Sequence, residues 1–290
     1  MRHLVQFSTG LSSAEVAWRL VAEHGPDAVL CLTADTLRED PDNWRFGREV
    51  INALGCEWIK LTDGRTPMQA GRDHRVVPSD RMAICSRVLK RELLRGYLDA
   101  HYDPADSIIY IGYDWSEPNR IASAARHWAP VWRMDALLAR PPYAPPLQPL
   151  FRSRGIEPPD LYRHKFPHAN CGGACVRGGQ AQWAKLLLVN RCRYLEWEAE
   201  ENETRAMLGK DVSILADRSG DGPRRPLPLT VLRERLEGPA PLFDADDWGA
   251  CGCDMDGPGD DGTPETRIPK AERWDGSEWV LLQDAPEVAA

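Results

Sequence analysis

His3-Leu4-Val5-Gln6-Phe7-Ser8-Thr9-Gly10-Leu11-Ser12-Ser13 changes character at its middle. His3–Phe7 reads as a short apolar strand and Ser8–Ser13 as a polar turn. From Ala14 to His24 the spacing of Val16, Ala17, Leu20 and Val21 predicts a helix with one apolar face. A strand that feeds a helix through a tight polar turn is the opening half of a parallel β-α-β unit.

The pattern repeats along the next hundred or so residues. Asp27–Thr33 is an apolar run bounded by Gly25-Pro26 and Asp35, hence a buried strand. Asp42–Leu54 has helical spacing and stops at Gly55. Glu57–Leu61 and Ser107–Tyr113 are further strands, separated by a long basic helix over Met82–His101, and Pro118 opens a helix that runs to Trp128. Such alternation predicts an α/β fold, a parallel twisted sheet with helices on both faces, Rossmann-like in outline. Ligands of such sheets sit beyond the carboxyl ends of the strands, where the strand order reverses. Ser8–Ser13, Asp35–Glu39 and the stretch after Gly112 are therefore expected to face one crevice.

From Pro141 the texture changes. Pro141, Pro142, Pro145, Pro146 and Pro149 form a proline-rich connection, followed by a Cys/Gly cluster at Asn170–Gly179 and a helical stretch over Gln180–Leu208. Ser213–Ala216 reads as a short strand and Leu229–Leu236 as a short helix. An Asp-Gly turn between Trp274 and Trp279 predicts a terminal hairpin. The expected organisation is an α/β unit at 1–140, a connection and mainly helical cysteine region at 141–253, and an acidic, flexible tail at 254–290.

The net charge of −8 is unevenly spread. Ten acidic and three basic residues between Asp254 and Ala290 account for −7 of it. Arg65 to Arg95 instead holds eight basic residues against three acidic ones, a local +5. The overall acidity thus does not exclude a phosphate-bearing partner. No apolar run approaches the ~20 residues that span a bilayer, and the N-terminus turns polar too soon for a signal peptide. A cytoplasmic protein with no membrane partner is expected.

Ser8, Thr9, Gly10, Ser12 and Ser13 precede a helix whose first N–H groups lack intrahelical partners. Those donors, the helix dipole and the hydroxyls make either a phosphate cradle or an ordinary N-capping turn. Arg87, Lys90 and Arg91 share one helical face, which suits either a polyphosphate or solvent. Asp114, Glu117 and Arg120 follow the fourth strand; Arg120 can hold a phosphate, and the carboxylates can bind Mg²⁺ or act as bases. The alternative is a surface pair between Glu117 and Arg120. Trp115 beside them can stack on a base or simply form a wall.

Ser8-x-Gly10-x-x-Ser13 between a strand and a helix resembles the PP-loop of the adenine-nucleotide α-hydrolase superfamily, and within it the PAPS reductase-like family. The likeness continues in order. Asp35-Thr36 with Glu39 resembles the family's Asp-Thr-Gly element, and Cys85-Ser86-x-x-Leu89-Lys90 its Cys-(Thr/Ser)-x-x-Leu-Lys element. Gly112-Tyr113-Asp114 with Glu117 and Arg120 resembles Gly-x-(Arg/Asp)-x-x-Glu-x-x-Arg. Leu161-Tyr162 with Cys171 and Cys175 resembles the closing Leu-Tyr and Cys-x-x-x-Cys region. Leu11 and Ser12 stand where the loop usually has Lys and Asp, and no Glu-Cys-Gly-Leu-His motif is present.

The resemblance implies an adenine nucleotide, ATP or PAPS/APS, held by Ser8, Thr9, Gly10, Ser12, Ser13, Asp35 and Gly112. It implies chemistry by Lys90, Arg120, Glu117 and Cys85, with Mg²⁺ beside ATP. The expected reaction is adenylation of an acceptor with release of pyrophosphate, for sulfur transfer or nucleobase modification. A nucleic acid or nucleoside acceptor and a sulfur-donor protein would then be partners. Reduction of PAPS or APS to sulfite, or a non-catalytic nucleotide-binding module, are the alternatives. Cys171, Cys175, Cys251 and Cys253 lie on two Gly-rich turns. Brought together they would suit zinc or an iron–sulfur cluster, with Cys192 or His168 as substitute ligands; free thiols or a redox disulfide are the other readings.

Overall fold

The computed structural model of the chain describes residues 1–217, 224–239, 243–249 and 269–282. Cys251, Cys253 and most of the acidic stretch lie outside the described residues.

β1 (Arg2–Gln6), β2 (Val29–Asp35), β3 (Glu57–Thr62), β4 (Ser107–Tyr110) and β5 (Arg133–Asp135) pair in parallel. β6 (Leu215–Asp217) and β7 (Arg225–Leu227) form a separate antiparallel ribbon. β8 (Lys270–Trp274) and β9 (Trp279–Leu281) extend the main sheet on its β3 edge, giving the order β5-β4-β1-β2-β3-β8-β9. The expected terminal hairpin is therefore built into the sheet.

Adjacent strand residues take opposite faces. Leu4, Leu30, Leu32, Ile59, Leu61 and Ile109 pack with Leu93, Leu94, Leu98 and Trp128 on one face. Val5, Phe7, Val29, Cys31 and Trp58 pack on the other with helices α1 (Leu11–His24) and α2 (Pro41–Leu54). Each fully buried aliphatic or aromatic side chain contributes roughly 1.5–3 kcal/mol. Helices thus cover both faces, as the alternation predicted.

The hairpin is held by tryptophans. Trp279 meets Trp58 at 4.6 Å between ring centroids and Trp274 at 5.4 Å. Lys60 Nζ lies 4.5 Å from the Trp279 ring and 2.9 Å from Glu272 of β8.

Two helices depart from expectation. The basic helix comprises Ile84–Ser86, a π-helical stretch Arg87–Glu92, and Leu93–His101. The helical run after the cysteines is split into Gln180–Val189 and Arg191–Leu208 at Asn190, whose side chain accepts from Arg193 N at 3.1 Å and restarts the helix. A third core joins Met68, Ile84 and Leu89 to Leu161, Trp183, Tyr194, Trp197 and Leu232, so the cysteine region packs directly on the basic helix. Among the described residues no helix is long and apolar enough to cross a membrane.

Candidate functional site

The chain runs from β1 through β2 to β3 on one side of the sheet and returns with β4 on the other side of β1. The order reverses between β1 and β4, and the loops leaving these strands meet there. Gly112 touches the first turn of α1; a Cβ at this position would lie 2.7 Å from Ser13 N. Only a residue without a side chain permits that approach.

The loop after β1 is braced from within. Ser13 Oγ accepts from Ser8 N at 3.2 Å and donates to Gly10 O at 3.0 Å. Thr9 adopts φ +55°, an uncommon conformation for a β-branched residue, and its hydroxyl donates to Ser8 O at 2.6 Å. Backbone strain of this kind is characteristic of binding loops. Gly10 occupies the N-cap of α1, and no side chain caps that helix. The Ser13 hydroxyl serves the loop rather than the helix end, so the N-capping alternative does not describe this turn.

A cavity of about 470 Å³ opens here, within the ~300–1,000 Å³ of small-molecule sites. Ser8, Gly10, Ser12, Ser13, Gly112, Lys90, Glu117 and Arg120, all singled out from the sequence, line it. Arg120 is held by Glu117 and lies 3.9 Å from the centre of the Tyr113 ring. The expected pair between Glu117 and Arg120 thus forms, and it forms within the cavity wall. Lys90 Nζ lies 3.6 Å from Glu39, whose other oxygen accepts from Cys171 N at 2.7 Å.

Other expected residues stand apart. Thr9 is buried beneath the loop and outside the lining. Asp35 lines a separate cleft with Trp44, Lys60 and Trp279; its carboxylate accepts from Leu37 N at 2.8 Å, and burial pushes its pKa up. Cys85 is packed in the core with Val88 and Leu89.

Cys171 and Cys175 are buried beneath the crevice and absent from its lining. Cys171, Gly172 and Gly173 are three successive residues with positive φ, which turns the chain tightly around the Cys171 thiol. That sulfur lies 3.9 Å from both Thr36 Oγ1 and Glu39 Oε1. Burial pushes its pKa well up, against the pull of Lys90, with Glu39, Cys175 and Cys85 adding to the rise. Among the described residues no three metal-ligating side chains converge. The four-cysteine set would need Cys251 and Cys253, outside the described residues, to join Cys171 and Cys175; neither of the substitute ligands, Cys192 and His168, completes a group of three with Cys171 and Cys175.

Arg91, Tyr162, His168 and Trp248 also line the cavity. Arg91 joins Lys90 in the wall, as their shared face predicts, whereas Arg87 of the same face does not line the cavity and lies 3.4 Å from Glu92. His168 sits with Lys90 and Arg120 around it, and no sequence spacing marks it for that place. No family model matches the chain, and no curated protein is similar to it.

Proposed function

We propose that this crevice binds an adenine nucleotide and activates an acceptor by adenylation, in the manner of the PP-loop enzymes of the PAPS reductase-like family. The observation that carries the reading is a convergence. The side-chain-uncapped N-terminus of α1, the Ser8 and Ser13 hydroxyls, and the cations Lys90, Arg91 and Arg120 all meet one cavity at the point of strand reversal. Amides and fixed cations there would hold the phosphates and stabilise negative charge as pyrophosphate departs. In that step the acceptor attacks the α-phosphorus, a bond to it forms, and the bond to the bridging oxygen breaks.

Mg²⁺ is bound by one or two carboxylates together with substrate phosphates. Asp114 and Glu117 in the lining fit that requirement, and the ion would supply charge neutralisation when bound. Reduction of PAPS or APS fits less well. It needs a reactive thiolate in the crevice, whereas the described cysteines are absent from its lining and burial keeps the Cys171 thiol protonated.

At the rim, Trp115 and Tyr143 are 65% and 55% exposed and meet edge to face at 6.5 Å. Trp115 directly follows Asp114 of the lining, and this pair is the platform on which a nucleobase of the acceptor would stack. Calorimetry with ATP and Mg²⁺ tests the reading, and pyrophosphate release in the presence of nucleoside or oligonucleotide acceptors tests the chemistry. Absence of heat with ATP, AMP and PAPS on folded protein would overturn it. Binding without pyrophosphate release would favour a non-catalytic module.

A further inference from the structure

His168 is a titratable side chain of the crevice with no part in the adenylation step. It lines the cavity, and its Nδ1 is shielded from solvent with no hydrogen-bond partner among the described residues. An unsatisfied buried polar atom is costly, and such atoms are kept where a ligand or water meets them. The charged groups that share this wall are Glu39, Lys90, Arg91, Asp114, Glu117 and Arg120. Lys90 lies 3.6 Å from Glu39 and Arg120 is paired with Glu117, and the charges of Arg120 and Lys90 act on the imidazole.

Resting on the nucleotide reading, we propose that His168 contacts the nucleotide's phosphates: its Nδ1 donates to an anionic oxygen, and the ring takes a proton from solvent as the anion arrives. No other bond is made or broken. Burial first, then the charges of Arg120 and Lys90, hold the imidazole pKa down to about 4, so the ring is neutral near pH 7 before the ligand enters. An incoming polyphosphate cancels the two cationic fields that keep the proton off. It also offers a charge-assisted hydrogen bond that only a protonated or correctly tautomeric nitrogen can make. Phosphate binding and protonation of His168 therefore favour each other.

The test is calorimetry of ATP with saturating Mg²⁺ at pH 7 in buffers of different ionisation enthalpy. The wild-type protein should take up as much as about one proton per ATP bound, and adenosine, which lacks phosphates, should cause no uptake. His168→Gln and His168→Asn, checked for an unchanged circular dichroism spectrum, should lose the uptake. Their ATP affinity should fall on the order of tenfold or more, as for loss of a charged hydrogen bond. Equal uptake in the wild type and the variants, or buffer-independent heat in the wild type, would overturn the role of His168 while leaving nucleotide binding intact. If the wild type shows no heat with ATP, the nucleotide reading itself fails and takes this inference with it.

Discussion

A Cβ on Gly112 would sit 2.7 Å from the backbone nitrogen of Ser13 and 3.0 Å from its Cα, so the end of β4 and the first turn of α1 are in contact through bare backbone. Neither partner is a flexible side chain that can swing away. Gly112→Ala should therefore push the α1 N-terminus out of place, cost about 1–3 kcal/mol as overpacking does, and weaken ATP binding at least about tenfold. Gly96→Ala is the control. Gly96 is exposed on the basic helix with nothing within 4 Å of its added Cβ, and alanine there should stabilise by up to about 1 kcal/mol. Urea unfolding and calorimetry read both; equal effects at the two positions would refute the backbone-contact argument.

Glu201 supports a prediction about pH. Its carboxylate is fully buried and accepts from Ile214 N at 2.7 Å and Leu229 N at 2.6 Å, tying the helix Arg191–Leu208 to the segment before β6 and to the start of Leu229–Glu237. Burial pushes its pKa up to about 7 despite those two donors. Between pH 4.5 and 7 the folded protein keeps a proton that the unfolded chain has released, so this group's contribution to stability falls as pH rises through that window. Glu201→Gln should remove that slope. It should also cost about 1–3 kcal/mol, because an amide can accept only one of the two N–H groups. Denaturant midpoints at several pH values, wild type against variant, measure both; parallel curves would show that Glu201 does not titrate in this range.

The strands of the parallel sheet that form long apolar runs, such as Val29–Thr33, were readable because burial on both faces leaves no polar position to confuse the pattern. β5 was not, since only three residues pair there and Arg133 is exposed. The hairpin at Trp274–Trp279 was readable from its Asp-Gly turn, but its place in the sheet was not. That place depends on Trp58 and Lys60, about 200 residues away, and on nothing local. Of the site, Ser8, Gly10, Ser13 and Gly112 were legible because a turn between strand and helix has few chemical uses. Lys90 shows the same for the basic helix. Arg91 was legible beside Lys90 from their shared helical face, whereas Arg87 of that face stays out of the lining because a π-helical stretch shifts the face that 3.6-residue spacing assigns. His168 escaped as a lining residue because a lone histidine carries no pattern.

The cysteines make a separable prediction. If Cys171 and Cys175 hold a metal together with Cys251 and Cys253, then protein purified without oxygen should contain zinc, or iron with visible absorbance. Cys171→Ser and Cys253→Ser should each lose it. The buried Cys171 thiol, with its raised pKa, would be deprotonated on binding, so metal affinity should fall steeply as pH is lowered. Metal retained in Cys253→Ser would disprove the four-cysteine set, and metal-free wild-type protein would leave Cys171 as a buried thiol that braces Glu39.

Trp115 and Tyr143 should act on the acceptor and not on the nucleotide. Both rings are largely exposed, an arrangement that costs apolar hydration unless something covers them, and neither lines the cavity where the phosphates would lie. Stacking on an aromatic side chain is worth about 1–3 kcal/mol per base. A Trp115→Ala, Tyr143→Ala double variant should therefore bind single-stranded oligonucleotides on the order of tenfold or more weakly by fluorescence anisotropy, with its ATP affinity changed by less than about twofold. Truncation at an exposed rim leaves no buried void, so thermal stability should stay within about 1 °C of the wild type. An oligonucleotide affinity unmoved by the double variant would exclude this rim as the acceptor platform. A parallel loss of ATP affinity would instead show that the two rings support the crevice itself.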